Sequence, residues 1–268
     1  MPVNYDEAVD YYDATRGFRE GVVERYRAAL LDCAGAESGS RILELGIGSG
    51  LIAAPFLRAA DDYVGIDLSR GMLGLIGGKL AGGLKPGLAQ ADCRHLPFAA
   101  ASFDLIHAVR VFHHLPAWRD CIDEARRLLR PGGVLVIVEN LPPAEAERPP
   151  WGIVQDKWDE ILRGLGLADV GHGDGIWITD DGMRRYLVAS GARVDFLDLL
   201  RFIEKPVSTR VMVERRVARM FSSDWSIPVA LHQKAARALI DWLEEECEAP
   251  DEMVERETIM RALVARWQ

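Results

Sequence analysis

The stretch RILELGIGSG at 41–50 limits what this chain can fold into more than any other, because it runs an apolar, strand-like segment directly into glycines spaced GxGxG. A strand that ends on glycines and hands over to a helical pattern opens a parallel βαβ unit. The pattern then repeats. YVGID at 63–67, GLAQA at 87–91, FDLIHAV at 103–109 and GVLVIVE at 133–139 read as strands, separated by helical runs near 50–60, 69–80 and 118–129. A helix over 18–34 precedes them, with Val22, Val23, Tyr26, Ala29 and Leu30 on one face. LRPGG at 129–133 reads as the turn that closes the helix before the fifth strand, since Pro131 does not continue a helix. The fold class expected is α/β: a Rossmann-like, doubly wound, mostly parallel seven-stranded sheet.

After the fifth strand the pattern changes. Between 141 and 180, Pro-rich and Gly-rich edges surround one amphipathic helix, 152–164, which reads as an inserted helical cap. The core resumes with the helix in TDDGMRRYLVASG and a strand over 192–202, then two helices near 208–221 and 228–247. ETIMRALVARW suits a last strand as well as a helix, and strand is favoured. Three regions are expected: a core over 1–140, the cap over 141–180, and a completion of the core over 181–268 with a helical substrate lobe or dimer contact at 206–250.

A net charge of −9 gives the chain no basic field to collect a nucleic-acid backbone, so no nucleic-acid partner is expected. The arginine pairs 184–185 and 215–216 could form a local basic patch, but a solvated helix face is the favoured reading. Cys33, Cys93, Cys121 and Cys247 form no CxxC spacing, which argues for a reducing cytoplasm and against a zinc site or a disulfide framework; no metal is expected. The opening MPVNYDEAVDYYD is acidic and aromatic where a secretory peptide would be basic and then apolar, and no apolar run is long enough to span a bilayer.

Chemistry concentrates at the strand ends. Glu44, Gly46, Gly48 and Gly50 sit where a doubly wound sheet binds ligands, between a strand's carboxyl end and a helix N-terminus. A dinucleotide loop would put its third glycine at position 51, where Leu51 stands. By itself GxGxG is also compatible with a plain turn. Asp67, 21 residues after Gly46 and ending the second strand, can accept hydrogen bonds from both hydroxyls of a ribose, or it can cap the next helix. In QADCRHLPF, Asp92 could accept from an exocyclic adenine amine.

Five motifs stand in order: ELGIGSG, GIDLS, QADCRHLPF, SFDLIHAVRVFHHL and LLRPGGVLVIVE. Over roughly residues 5–140 the chain resembles the class I S-adenosylmethionine-dependent methyltransferases, most closely the ubiquinone/menaquinone-biosynthesis type and its small-molecule relatives. The resemblance implies S-adenosylmethionine as cofactor and a small-molecule methyl acceptor as partner, with a homodimer open. Gly46, Gly48 and Gly50, with Glu44 beside them, would line the methionine and ribose side. Asp67 would hold the ribose, Leu68 and Met72 would flank the adenine, Asp92 would meet its amine with Ala91 and Cys93 adjacent, and Ala108 and Val109 would face the sulfonium. The opening YDEAVDYYDATRGF looks like the family's lid helix, in which Tyr12 covers the cofactor and Arg16 pairs with its carboxylate; a surface amphipathic helix is the alternative.

His113 and His114 are the candidate catalytic bases, each with a structural role as the alternative. His95 and His172 are weaker candidates. Arg110 and the tryptophans Trp151, Trp158 and Trp177 are expected to wall the acceptor, unless the tryptophans only pack the insertion. Two other functions fit the same glycine loop: a nicotinamide-dependent oxidoreductase, and a non-catalytic nucleoside-binding protein.

Overall fold

A computed structural model describes residues 4–37, 39–59, 61–79, 87–142, 150–167 and 176–267. Seven strands form one sheet: β1 (Arg41–Leu45), β2 (Asp62–Asp67), β3 (Gly87–Gln90), β4 (Phe103–Val109), β5 (Leu129–Leu141), β6 (Ala192–Ile203) and β7 (Glu257–Trp267). Their order is β3-β2-β1-β4-β5-β7-β6. The pairs among β1 to β5 are parallel and β7 runs antiparallel to β5. The order reverses direction between β1 and β4. Leu45 is flanked there by Ile66 on β2 and Ala108 on β4, so the loops that leave these three strands emerge side by side.

Period-2 alternation explains how the sheet is buried on both faces. Leu43, Leu45, Ile106, Leu135 and Ile137 point to one side. There they pack with Trp118, Cys121, Ile122, Ala125 and Leu128 of α5 (Trp118–Leu128) and with Met183 and Leu187 of a later helix, Asp181–Ala189. Ile42, Leu105, Val134, Val136 and Val138 point to the other. Their partners are Tyr26 and Leu30 of α2 (Val22–Ala34), Phe56 and Leu57 of α3 (Ala54–Arg58) and Ile76 of α4 (Arg70–Lys79). Before α2, the expected lid helix is split into a 3-10 turn at Asp6–Ala8 and a short α1 (Tyr12–Arg16).

The second compact unit is helical. In it α6 (Pro150–Gly164), α8 (Thr209–Val217) and α9 (Val229–Glu246) enclose Val154, Trp158, Leu162, Met212, Val213, Leu239 and Leu243; the helix Asp181–Ala189 is α7. Arg216 is buried in this unit against Asp224 at 2.7 Å, which corrects the expectation of a solvated arginine pair at 215–216.

Element boundaries differ from expectation at four places. The helix expected from residue 18 begins at Val22, after Gly21 has turned left-handed at φ 78°. The one expected over 50–60 is only α3, because Gly50 is also left-handed and the chain still turns through 51–53. LRPGG is part of β5 rather than a helix stop, with Leu129 opposite Phe103. The compact units also divide the chain differently: 142–173 groups with 203–258, while 174–202 and 259–268 group with the sheet. The separate cap and lobe are therefore one unit, and Trp177 belongs with the sheet. No helix among the described residues is long and apolar enough to cross a membrane.

Candidate functional site

Gly46 (φ 69°) and Gly48 (φ 55°) carry the loop after β1 through backbone conformations that other residues rarely adopt. A Cβ on Gly46 would fall 2.7 Å from Val111 Cγ2, whereas one on Gly48 would meet nothing within 4 Å and would project into open cleft. The Gly48 N–H donates to Asp67 Oδ2 at 2.8 Å, and the Ser69 N–H donates to Asp67 Oδ1 at 2.8 Å. Each carboxylate oxygen keeps a further lone pair for a ligand hydroxyl. Burial pushes the Asp67 carboxyl up from the ordinary range, against the pull of those N–H groups. Gly50 does not line the cleft; its carbonyl accepts the Ala54 N–H at 3.2 Å, so it shapes the turn instead.

Around this loop the cleft brings together Tyr12, Leu68, Met72, Ala91, Asp92, Cys93, Val109, Arg110 and His114, all expected at the site. Asp92 arrives already engaged. Arg94 grips both of its oxygens, with Nη2 to Oδ2 at 2.6 Å, and that bond holds its carboxyl below the usual range. Ala108, next to last in β4, is fully buried and does not line the cleft. Glu44 is also buried, at the hub of a polar network inside the sheet layer. Tyr63 Oη donates to Glu44 Oε2 at 2.6 Å and lies 2.8 Å from His107 Nε2, while Tyr26 Oη lies 3.1 Å from His107 Nδ1. Since Tyr63 spends its hydrogen on Glu44, the bond order runs from Tyr26 O–H to His107 Nδ1 and from His107 Nε2–H to Tyr63. Burial pushes Glu44 up to about 8 and pulls His107 down to about 3.

The N-terminal segment is clasped to the same loops. Asp6 accepts from Ser69 Oγ at 2.5 Å and from the Gly71 N–H at 3.0 Å. Asp13 accepts from Ser49 Oγ at 2.5 Å and pairs with Lys79, whose ammonium also donates to the Ser49 carbonyl at 2.6 Å. Tyr5 Oη lies 2.8 Å from His114 Nε2. His114 is pulled down to about 3, first by burial and then by its neighbours His113, Arg16 and Arg110. Arg16 does not line the cleft. Burial and the nearby Arg110 disfavour its charge, while Tyr5, Tyr11 and Tyr12 close by favour it.

His113 turns away from the cleft lining. Its Nδ1 is 3.1 Å from Oε1 of the buried Glu139, and its ring stacks on Trp177 at 4.4 Å and 5°. Trp177 keeps 48% of its surface exposed. Trp158 is corrected from a wall of the acceptor to a core residue, 1% exposed in the helical unit beside His232 and Arg216. Trp151 lies in that unit as well, under Arg256. His95 is exposed, and His172 lies outside the described residues.

Sequence reasoning missed Tyr5, Ile66, Val111 and Leu115 in the lining, and Glu139 behind His113. Only Ile66 had a usable signal, as the residue before Asp67 at a strand end. Among the described residues no cluster of His, Cys, Asp and Glu could hold a metal ion.

Residues 43–137 match the family described as "Methyltransferase domain". The demethylmenaquinone methyltransferase of Clavibacter sepedonicus is 32% identical over 162 residues, which is 60% of this chain and 64% of that protein. This chain thus spans less than two thirds of the length of that relative. Two solved structures share the fold. The [4+2]-cyclase SpnF superposes with a TM-score of 0.54 at 17% identity, over 98% of this chain and 94% of that one. A phosphoethanolamine N-methyltransferase of Haemonchus contortus, in complex with phosphomonomethylethanolamine and S-adenosylhomocysteine, gives 0.53 at 14% identity, over 98% of this chain and 58% of that one.

Proposed function

We infer that this chain, whose residues 43–137 match a methyltransferase domain, is a class I S-adenosylmethionine-dependent methyltransferase that acts on a small molecule. The observation that carries the reading is the bond from the Gly48 N–H to Asp67, which sets a ribose-sized acceptor beside a loop with room for a ligand against its backbone. The donor set fits the cofactor. Asp67 has lone pairs left for two hydroxyls, and Ile66, Leu68 and Met72 offer apolar surface to a base. The relative's name and the neighbour solved with S-adenosylhomocysteine agree with this.

S-adenosylmethionine bound there would supply a methyl carbon activated by its sulfonium, so the protein's task is alignment. Tyr5 and Tyr12 close the N-terminal side of the cleft and limit water. His114 faces the cleft but is kept neutral by burial, which makes it a poor proton acceptor. His113 is turned away from the cleft, with its Nδ1 on Glu139 and its ring on Trp177, so the reading that fits is an acceptor that needs no base from either histidine. The cytoplasm suits four free cysteines, and a homodimer contact fits the exposed Phe196 and Leu197 on the edge strand β6.

Calorimetry with S-adenosylhomocysteine, followed by transfer of labelled methyl from S-adenosylmethionine to a panel of small acids, phenols and amines, tests the reading. Micromolar binding with transfer to one class is expected; no binding at millimolar ligand would sink it. Stabilisation by NADH instead would make the chain an oxidoreductase. A second reading has a specific observation in its favour, the likeness to a cyclase on the same fold. Cofactor binding without methyl transfer would favour it.

A further inference from the structure

We propose that the methyl acceptor is an anion, gripped through a carboxylate or phosphate by the guanidinium of Arg110. The inference rests on the cofactor reading above and adds the chemical class of the acceptor.

Arg110 is the first residue beyond β4, at the point where the strand order reverses, and it lines the cleft beside His114 and Val111. Its backbone is left-handed at φ 58°, a costly state for a residue with a Cβ, and its N–H is held by the Val138 carbonyl at 2.8 Å. Strain of this kind persists where the surroundings enforce it, commonly at ligand sites. The guanidinium lies over the Phe18 ring at 5.3 Å, and Phe18 in turn packs on Phe202 at 5.7 Å. An aromatic face orients an arginine fork without consuming its N–H donors.

The local charge needs an anion. Among the described residues the Arg110 guanidinium makes no hydrogen bond or ion pair with a carboxylate, although the chain as a whole carries a charge of −9. The nearby acids are engaged elsewhere: Asp92 by Arg94, Glu139 by His113, Asp13 by Ser49 and Lys79. Arg16 and Arg110 lie close enough for each to oppose the other's charge. The cofactor's carboxylate is offset by its own ammonium, and its sulfonium adds a positive charge that repels a guanidinium. An anionic acceptor resolves this. It neutralises Arg110, sits favourably against the sulfonium, and is offered a planar fork matched to two oxygens.

The probes are benzoate and phenyl phosphate, with benzamide as the neutral counterpart, each titrated into protein saturated with S-adenosylhomocysteine. At least one anion is expected to bind saturably and about tenfold or more tighter than benzamide, and the tighter of the two identifies a carboxylate or a phosphate handle. Arg110→Gln should weaken that anion by about tenfold while S-adenosylhomocysteine affinity stays within about threefold. Arg110→Gly, which suits the left-handed backbone, should do the same and guards against misfolding of the glutamine variant. Anions that bind no better than benzamide while S-adenosylhomocysteine still binds would overturn the proposal alone. An equal loss of S-adenosylhomocysteine affinity in either variant would also overturn it, by placing Arg110 on the cofactor's carboxylate. If S-adenosylhomocysteine does not bind the unaltered protein at all, this inference falls together with the cofactor reading.

Discussion

The backbone N–H of Gly48 donates to Asp67 Oδ2 at 2.8 Å, so the glycine loop after β1 and the carboxyl end of β2 meet through one carboxylate. That bond aligns Asp67 before any ligand arrives. It also holds the loop in the left-handed turn that exposes the Gly48 backbone to the cleft.

Replacing the carboxylate should therefore cost binding on two counts, a lost acceptor and a loosened loop. For Asp67→Ala, calorimetry should show S-adenosylhomocysteine affinity lowered by about 10- to 100-fold, from a charge-assisted bond of ~1.5–3 kcal/mol. Unchanged affinity in a folded variant would remove the anchor of the cofactor assignment.

At Gly46 both conformation and space are restricted: φ is 69° and an added methyl would reach 2.7 Å from Val111 Cγ2. Gly46→Ala should lower stability by ~1–3 kcal/mol in urea melts, the usual cost of a non-glycine residue held in such a backbone. A variant as stable as the original would mean that Val111 moves aside freely.

Glu44 predicts a pH effect. Its carboxyl is pushed up to about 8 by burial, against an ordinary 4.5, so the folded chain keeps a proton that the unfolded chain releases. Stability that is fully present below 4.5 should drain away as pH rises toward 8. Glu44→Gln still accepts from Tyr63 but does not titrate, so its Tm should fall less than the original's across that interval. His107, pulled down to about 3 from 6.5, acts in the opposite sense and costs stability as pH falls through that range in both proteins. Parallel Tm curves between pH 5 and 8 would contradict the assignment.

The N-terminal clasp should govern how fast ligand enters and leaves. Asp13→Ala removes the partner of Ser49 and Lys79. Stopped-flow binding of S-adenosylhomocysteine is expected to show faster dissociation and an affinity lower by about 3- to 10-fold, the scale of one partly exposed polar contact. Identical rates would show that the segment plays no part in covering the cleft.

In the helical unit, Asp224 is fully buried against Arg216. Asp224→Ala leaves a buried guanidinium without its counter-ion and should cost ~3–5 kcal/mol in chemical denaturation. A loss below ~1 kcal/mol would mean that water or another acceptor replaces the carboxylate.

Much of this arrangement could be read in the amino-acid order. The five parallel strands, the glycine loop and Asp67 all announce themselves locally, because only glycine tolerates the loop's left-handed turns and only an unbroken apolar run suits a strand buried on both faces. The misreadings share one cause. Trp158 and Trp177 look alike in the sequence, as do Arg215 and Arg216, yet one member of each pair is buried and the other is not. The pairing of Glu139 with His113 spans 26 residues and that of Tyr5 with His114 spans 109, with no local pattern to signal either.

The sequence by itself determined where the backbone must turn, which segments alternate as strand and helix, and which carboxylate ends the second strand; these follow from steric limits and periodicities confined to a few neighbouring residues. Tertiary structure alone decided which charges meet, which aromatic rings are sealed in a core, and that Arg16 and Arg110 come close in a protein whose net charge is negative. Burial and charge pairing depend on distances between segments far apart in the chain, and those distances exist only once the sheet has assembled.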